Sequence, residues 1–186
     1  MGTSSKFTSA DLFLMPDDGK RYEVIDGELH VAKQPSYHHQ YACGRLLRFL
    51  DEWNDRALGI AITAPGLIFA EDDDVAPDLV WVSRQRARHV FGEDGKLHSA
   101  PDLVIEVLSP GPTNEQRDRQ AKLKLYSRRG VQEYWIIDWQ KQQAEIYRRS
   151  GGELALIKTI YREETLDSPL LPGFSCKIAA LLLSIP

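Results

Sequence analysis

A chain of 186 residues and 21.1 kDa suits one compact domain, residues 1–186, with a continuous core, and leaves little room for two. Its 42% hydrophobic and 27% charged residues are ordinary globular composition, which excludes wholesale disorder, collagen-like repeats and a disulfide framework. With 23 basic and 27 acidic residues the formal charge is −4, which argues against a protein that coats nucleic acid by bulk electrostatics.

In chain order, Thr8 or Ser9 caps a short helix through about Met15, and Pro16-Asp17-Asp18-Gly19 ends it. Met1 to Ala10 lacks a basic stretch followed by an apolar core, so no secretory signal is expected. Tyr22 to Ile25 and Glu28 to Val31 flank Asp26-Gly27, a hairpin signal because both central residues of a type I′ turn need positive φ. Ala42, Leu46, Phe49, Leu50 and Trp53 recur at steps of three and four and predict a helix from about Tyr37 to Leu58. Short apolar runs then predict strands at Ile60 to Phe69, Leu79 to Val82 and Leu103 to Leu108, the last apolar on both faces and therefore central. The acidic run Glu71 to Asp74 and the basic neighbourhoods of Arg84, Arg86 and Arg88 and of Arg117, Arg119, Lys122, Lys124, Arg128 and Arg129 read as solvated faces. A helix from about Glu115 to Arg129 ends at Gly130, strand character resumes at Tyr134 to Ile137, and Ala144 to Tyr147 and Leu154 to Ile160 read as antiparallel strands turning at Ser150-Gly151-Gly152. Ser175 to Leu183 reads as a closing helix. No apolar run approaches the ~20 residues of a membrane span, so a cytoplasmic protein is expected. Cys43 and Cys176 match no metal-binding spacing between them, and a disulfide between them stays open.

Glu106 is the most informative residue, a single charge inside Leu103-Val104-Ile105-Glu106-Val107-Leu108. A buried carboxylate costs at least several kcal/mol unless it is neutralised, paired with a basic group or bound to a cation. A hard divalent cation needs a second carboxylate, and Asp78, at the start of a neighbouring strand, is the leading candidate, although a turn or capping role is also open to it. Asp102 shares the face of Glu106 by parity but lies roughly 13 Å along the strand. Lys122 follows on the next helix, with Asp118 and Tyr126 four residues before and after it. That spacing also describes an ordinary surface pair. Carboxylates, a divalent ion and a lysine are together the components for hydrolysing a phosphodiester.

Tyr22-Glu23-Val24-Ile25-Asp26-Gly27-Glu28-Leu29, Pro77-Asp78, Pro101-Asp102-Leu103-Val104-Ile105-Glu106-Val107-Leu108-Ser109-Pro110, Asp118 to Lys122 with Tyr126, and Gly130 to Asp138 occur in an order that resembles the Uma-two family, a branch of the PD-(D/E)XK nuclease superfamily. The resemblance spans about Thr8 to Tyr161. It implies Asp78 and Glu106 as metal ligands, and Glu28 as a further acidic position that adds a ligand or a water-mediated contact. The superfamily pattern wants lysine two residues after the glutamate, where this chain has Leu108; Lys122, in a Lys-x-x-x-Tyr pattern, takes that part, with Lys124 as the fallback if the helix phase differs. His39 matches a histidine at the start of the long helix, and Glu23, Asp102 and Asp118 are second-line candidates. For Glu28 and His39 a structural role is equally open.

The expected fold is α/β, a restriction-endonuclease-like mixed central sheet flanked by helices, with the residue 22–32 hairpin near one rim. The resemblance implies an endonuclease that hydrolyses DNA phosphodiesters with Mg²⁺, for which Mn²⁺ can substitute, with catalytic residues Asp78, Glu106 and Lys122. Nothing in the sequence resembles a target-recognition domain, so modest sequence specificity or an unidentified protein partner is expected, and analogy with the superfamily implies a homodimer with one site for each strand. The rival readings are a catalytically silent module that binds nucleic acid or protein, and a hydrolase of another phosphate ester.

Overall fold

The structure, a computed structural model, describes residues 6–54 and 58–184. After the short helix α1 (Ser9–Leu12), β1 (Arg21–Ile25) and β2 (Glu28–Ala32) form the expected hairpin. Asp26 and Gly27 have φ of 55° and 79°, the left-handed pair that matches the twist of two antiparallel strands. Helix α2 (Tyr37–Trp53) starts at Ser36, whose hydroxyl accepts from the His39 amide, and ends at Asn54. The expected continuation toward Leu58 runs into residues 55–57, outside the described residues, as are residues 1–5.

The chain then builds β3 (Gly59–Thr63), β4 (Leu67–Ala70), β5 (Asp73–Val75), β6 (Leu79–Ser83), α3 (Arg84–Val90) and β7 (Leu103–Val107). From Pro112 to Arg129 it is helical in three pieces: α4 (Pro112–Gln116), a π-helical segment (Arg117–Lys122) and α5 (Leu123–Arg129). Gly130, at φ 91°, closes α5 in the left-handed conformation that a β-carbon disfavours. Strands β8 (Glu133–Asp138), β9 (Gln143–Ser150) and β10 (Glu153–Tyr161) follow, then β11 (Thr165–Ser168) and β12 (Leu171–Lys177), and a 3₁₀ turn at Ile178–Leu181.

Six strands form the central sheet in the order β10-β9-β8-β7-β6-β3, with β7 and β8 parallel and the other pairs antiparallel. Strand β7 is interior to this mixed sheet, and all five of its residues are buried. Its odd-numbered side chains pack with Ala42, Leu46 and Leu50 of α2, while Val104 joins Leu125 and Tyr126 of α5 on the opposite face. Each fully buried leucine contributes ~1.5–3 kcal/mol, so α2 and α5 are held against the two faces chiefly by apolar burial. The hairpin belongs to a second, four-stranded sheet in the order β2-β1-β5-β4, on the α5 side. No helix among the described residues is long and apolar enough to cross a membrane. Cys43 and Cys176 are separate buried thiols.

Three local expectations change. Ser175 to Leu183 is not a closing helix: Phe174, Cys176 and Ile178 are buried at a period of two, and β12 pairs with β11 before the 3₁₀ turn. The basic stretch Arg84–Val90 is a seven-residue helix with one buried residue, too short for periodicity to declare it. The acidic run is not a solvated face, because Asp73 and Asp74 are buried in β5. Asp73 accepts hydrogen bonds from Arg128, Arg129 and the Asp26 amide, so the acidic and basic runs answer each other and tie the end of α5 to the hairpin turn.

Burial alone would raise the Asp73 carboxyl, but that amide and the two guanidinium groups hold it below the usual range. A depressed value contributes stability above the unfolded pKa of about 3.9, and the contribution is lost as pH falls through the lower folded value. Asp73→Asn should therefore cost about 1–3 kcal/mol at pH 7, and urea melts should show the gap from wild type closing as pH falls below the unfolded value of about 3.9. A pH-independent gap would assign the loss to packing.

Candidate active site

Asp78 and Glu106 meet where β7 ends and β6 begins. The β6–β7 register ends with Leu79 opposite Ile105, and Asp78 and Glu106 are the next residues outward on the two chains. The Val107 amide donates to Asp78 Oδ2 at 2.9 Å, and His39 Nε2, from the first turn of α2, lies 3.0 Å from the same oxygen. Arg21 Nη1 reaches Asp78 Oδ1 at 3.1 Å and also donates to the Ala76 carbonyl at 2.9 Å.

Glu106 is 1% exposed. Its Oε1 accepts from Lys122 Nζ and from the Tyr126 hydroxyl, each at 2.9 Å. Lys122 Nζ also lies 2.9 Å from Glu23 Oε1, which accepts from the Ala76 amide at 2.8 Å. Lysine buried to this degree is paired or it is not charged, and here one ammonium bridges a carboxylate from each sheet. The π-helical segment carries Arg117, Asp118 and Lys122. Widened turns of this kind recur at functional sites because they free backbone groups and redirect side chains. The Asp118 carbonyl accepts from the Tyr134 hydroxyl at 3.0 Å, and the Asp118 carboxylate is clamped by Arg117 at 2.8 and 3.2 Å.

Four buried carboxylates, Glu23, Asp78, Glu106 and Asp118, face one buried ammonium, Lys122, and two half-buried guanidinium groups, Arg21 and Arg117. Burial would raise Asp78, but the hydrogen bond and charge of His39, with Lys122 and Arg21, hold it well below the usual carboxylate range. Burial pushes Glu106 up to about 8 against the pull of Lys122, and Asp78, Asp118 and Glu23 add to the rise. For Glu23 the opposing charges of Lys122 and Arg117 overcome burial and lower it. Lys122 is raised, because Glu106, Glu23 and Asp118 outweigh its own desolvation. Asp78 is thus ionised, Lys122 charged, and Glu106 the carboxyl poised to hold a proton or face a cation.

This donor set fits a hard divalent ion. Both hydrogen bonds to Glu106 fall on Oε1, leaving Oε2 for a ligand, while Asp78 Oδ1 and Oδ2 would exchange part of their contact with Arg21 and His39 for the ion.

Asp78 opens onto a cleft of about 380 Å³ lined by His39 and Ser109 together with Lys20, Arg21, Lys33 and Arg117. Four cations therefore border the site although the whole chain is acidic. The structure places Glu28 elsewhere: it is exposed and lines a second cleft with His30, Gln120 and Lys124, to which Arg117 also contributes. Lys124 points outward there, whereas Lys122 points in. Asp102 lies at the other end of β7, where it accepts from the Ser83 amide at 2.7 Å and faces Arg86. Sequence reasoning places Arg117 only in a basic neighbourhood and does not reach Arg21. Their only sequence signal is basic character, and their role follows from carboxylates far away along the chain.

The profile of the Uma2 family, described as "Putative restriction endonuclease", matches residues 9–181. The fold is similar to the crystal structure of a "putative nuclease belonging to DUF820" from Anabaena variabilis, with a TM-score of 0.75 and 20% identity over 94% of this chain and 97% of that one. A partial likeness to the type IIG restriction endonuclease BpuSI has a TM-score of 0.43 and 13% identity, over 79% of this chain and 16% of that one. No curated protein matches the chain.

Proposed function

The chain belongs to the Uma2 family, and from that premise we propose that it is a magnesium-dependent endonuclease hydrolysing DNA phosphodiester bonds at Asp78, Glu106 and Lys122. The observation that carries the proposal is the nearness of the two carboxylates: Asp78 Oδ2 accepts from the amide of Val107, the residue after Glu106, and the Lys122 ammonium sits on Glu106. Mg²⁺ bound by those two carboxylates would polarise the scissile phosphoryl oxygen and acidify a water molecule, and Mn²⁺ can take the same ligands. His39 and the Val107 amide fix the orientation of Asp78. Tyr126 and Lys122 do the same for Glu106, and Lys122 adds a preorganised positive charge where negative charge develops on the phosphate.

Lys20, Lys33 and Arg117 border the cleft as contacts for the phosphate backbone, which argues for a polyanionic substrate over a single small ester. Lys33→Ala should raise KM for plasmid several-fold and leave kcat within about twofold, because a contact distant from the reacting atoms contributes uniform binding. A matched fall in kcat would place Lys33 at the reacting phosphate.

The test is a substrate panel with purified chain: supercoiled plasmid, RNA, nucleotides and a phosphate monoester, with Mg²⁺, with Mn²⁺ and with chelator. Cation-dependent conversion of supercoiled to nicked circles is expected, with linear product rising at higher protein concentration if two copies address the two strands. Retention of DNA without cutting in any cation would establish a binding module instead. Preferential turnover of a nucleotide or monoester would establish a hydrolase of another class.

A further inference from the structure

Cys43 has no part in the proposed hydrolytic centre, yet it faces that centre. It lies one turn after His39 on α2, and residues four apart share a helix face. Its Sγ is 3.7 Å from His39 Nδ1, while His39 Nε2 is 3.0 Å from Asp78 Oδ2. One donor atom from each of His39, Cys43 and Asp78 lies within 4.8 Å of the other two, and all three residues are buried.

We propose that His39, Cys43 and Asp78 form a second cation site, for a thiophilic divalent ion such as Zn²⁺, which competes with the hydrolytic ion for Asp78 and so inhibits the enzyme. The inhibitory consequence rests on the nuclease reading; the ion site itself does not.

The chemistry separates the two ions. Mg²⁺ takes oxygen ligands in octahedral geometry and has no use for a thiol, whereas Zn²⁺ accepts sulfur, imidazole nitrogen and carboxylate oxygen tetrahedrally. With bonds of 2.0–2.3 Å the donors of a tetrahedral ion stand roughly 3.5 Å apart, so the three donors, within 4.8 Å of one another, close on an ion by side-chain rotation that brings one His39 nitrogen to face both Cys43 and Asp78. Binding releases the Cys43 thiol proton to solvent and uses one neutral nitrogen of His39. His39 and Asp78 line the basic cleft, which gives the ion a route in and leaves its fourth position to water. The Val107 amide already orients Asp78 from behind, as outer partners of metal ligands do. Asp78 then serves two sites whose other ligands differ in softness, Glu106 on one side and His39 with Cys43 on the other.

The test uses Co²⁺ as a spectroscopic stand-in for Zn²⁺, titrated into the full-length protein. Wild type should take up one equivalent with a thiolate-to-cobalt charge-transfer band, and Zn²⁺ should bleach it. Cys43→Ser and Cys43→Ala should lose the band and weaken Zn²⁺ binding at least tenfold, while Cys176→Ser, altering the other buried thiol, keeps both. Far-ultraviolet circular dichroism checks that each variant is folded, and two replacements at position 43 guard against one that is not. Plasmid nicking in Mg²⁺, scored against each variant's own zinc-free rate, should be inhibited by Zn²⁺ in wild type and at least tenfold less sensitively in the Cys43 variants. Absence of a thiolate band, or equal Zn²⁺ affinity with and without Cys43, overturns the site. A thiolate band in a protein that cuts nothing in any cation supports the site and overturns the nuclease reading. Zinc inhibition that survives loss of Cys43 while the band disappears overturns the competition.

Discussion

Glu106→Gln should lower the rate of plasmid nicking by at least about 100-fold and leave the protein folded, with stability equal to or above that of wild type. The amide keeps the size of the side chain and an oxygen to accept from Lys122 and Tyr126, but removes the charge offered to a cation. Burial raises this carboxyl from its usual 4.5 to about 8, so folding favours its protonated form. Its contribution to stability is complete below pH 4.5 and is lost as pH rises toward 8. In chelator, urea melts should therefore show Glu106→Gln gaining on wild type between those two pH values, with the gap level above them. A variant that nicks at the wild-type rate would remove Glu106 from the mechanism. A gap that does not change with pH would mean that Glu106 is ionised in the fold throughout.

Lys122→Met should be worse on both counts, losing roughly 3–5 kcal/mol of stability and at least about 100-fold in nicking. The methionine fills similar volume, but Glu23 and Glu106 lose the ammonium that bridges them at 2.9 Å from each. The stability loss arises from leaving buried carboxylates unpaired, so Glu23→Gln added to Lys122→Met should recover part of it without recovering activity. Denaturant melts of the two single variants and the double variant form the cycle that isolates this coupling. If Lys122→Met is as stable as wild type, the charge network does not hold the two sheets together as described.

These effects depend on features with unequal visibility in the sequence. The hairpin was legible because Asp26-Gly27 is a local device whose backbone angles the turn itself demands. Strand β7 and the burial of Glu106 were legible because a lone charge in an apolar run must be accounted for wherever the strand sits. Lys122 could be placed on a helix from local spacing, but its two partners come from β1 and β7, so its inward direction is a tertiary fact. The π-helical segment was not legible at all: Pro112 and Gly130 mark the ends of the helical stretch, whereas the widened turn has its Asp118 carbonyl satisfied by Tyr134 from β8. Asp73 was misjudged for the same reason. Four acidic residues in a row read as a solvated face until Arg128 and Arg129 arrive from across the fold. The closing segment failed differently, since the alternation of Phe174, Cys176 and Ile178 is too brief to outweigh a run that is also compatible with a helix.

A crystal of the protein soaked in Mn²⁺ tests whether Asp78 and Glu106 together hold a divalent cation. Manganese takes the oxygen ligands of magnesium and scatters anomalously, so its position can be located independently of any assumption about the site. The account predicts an anomalous peak with oxygen atoms of both Asp78 and Glu106 at roughly 2.0–2.6 Å, lost on Glu106→Gln. A fully soaked crystal with no peak between these carboxylates, or with its strongest peak at Glu28 in the other cleft, would contradict it.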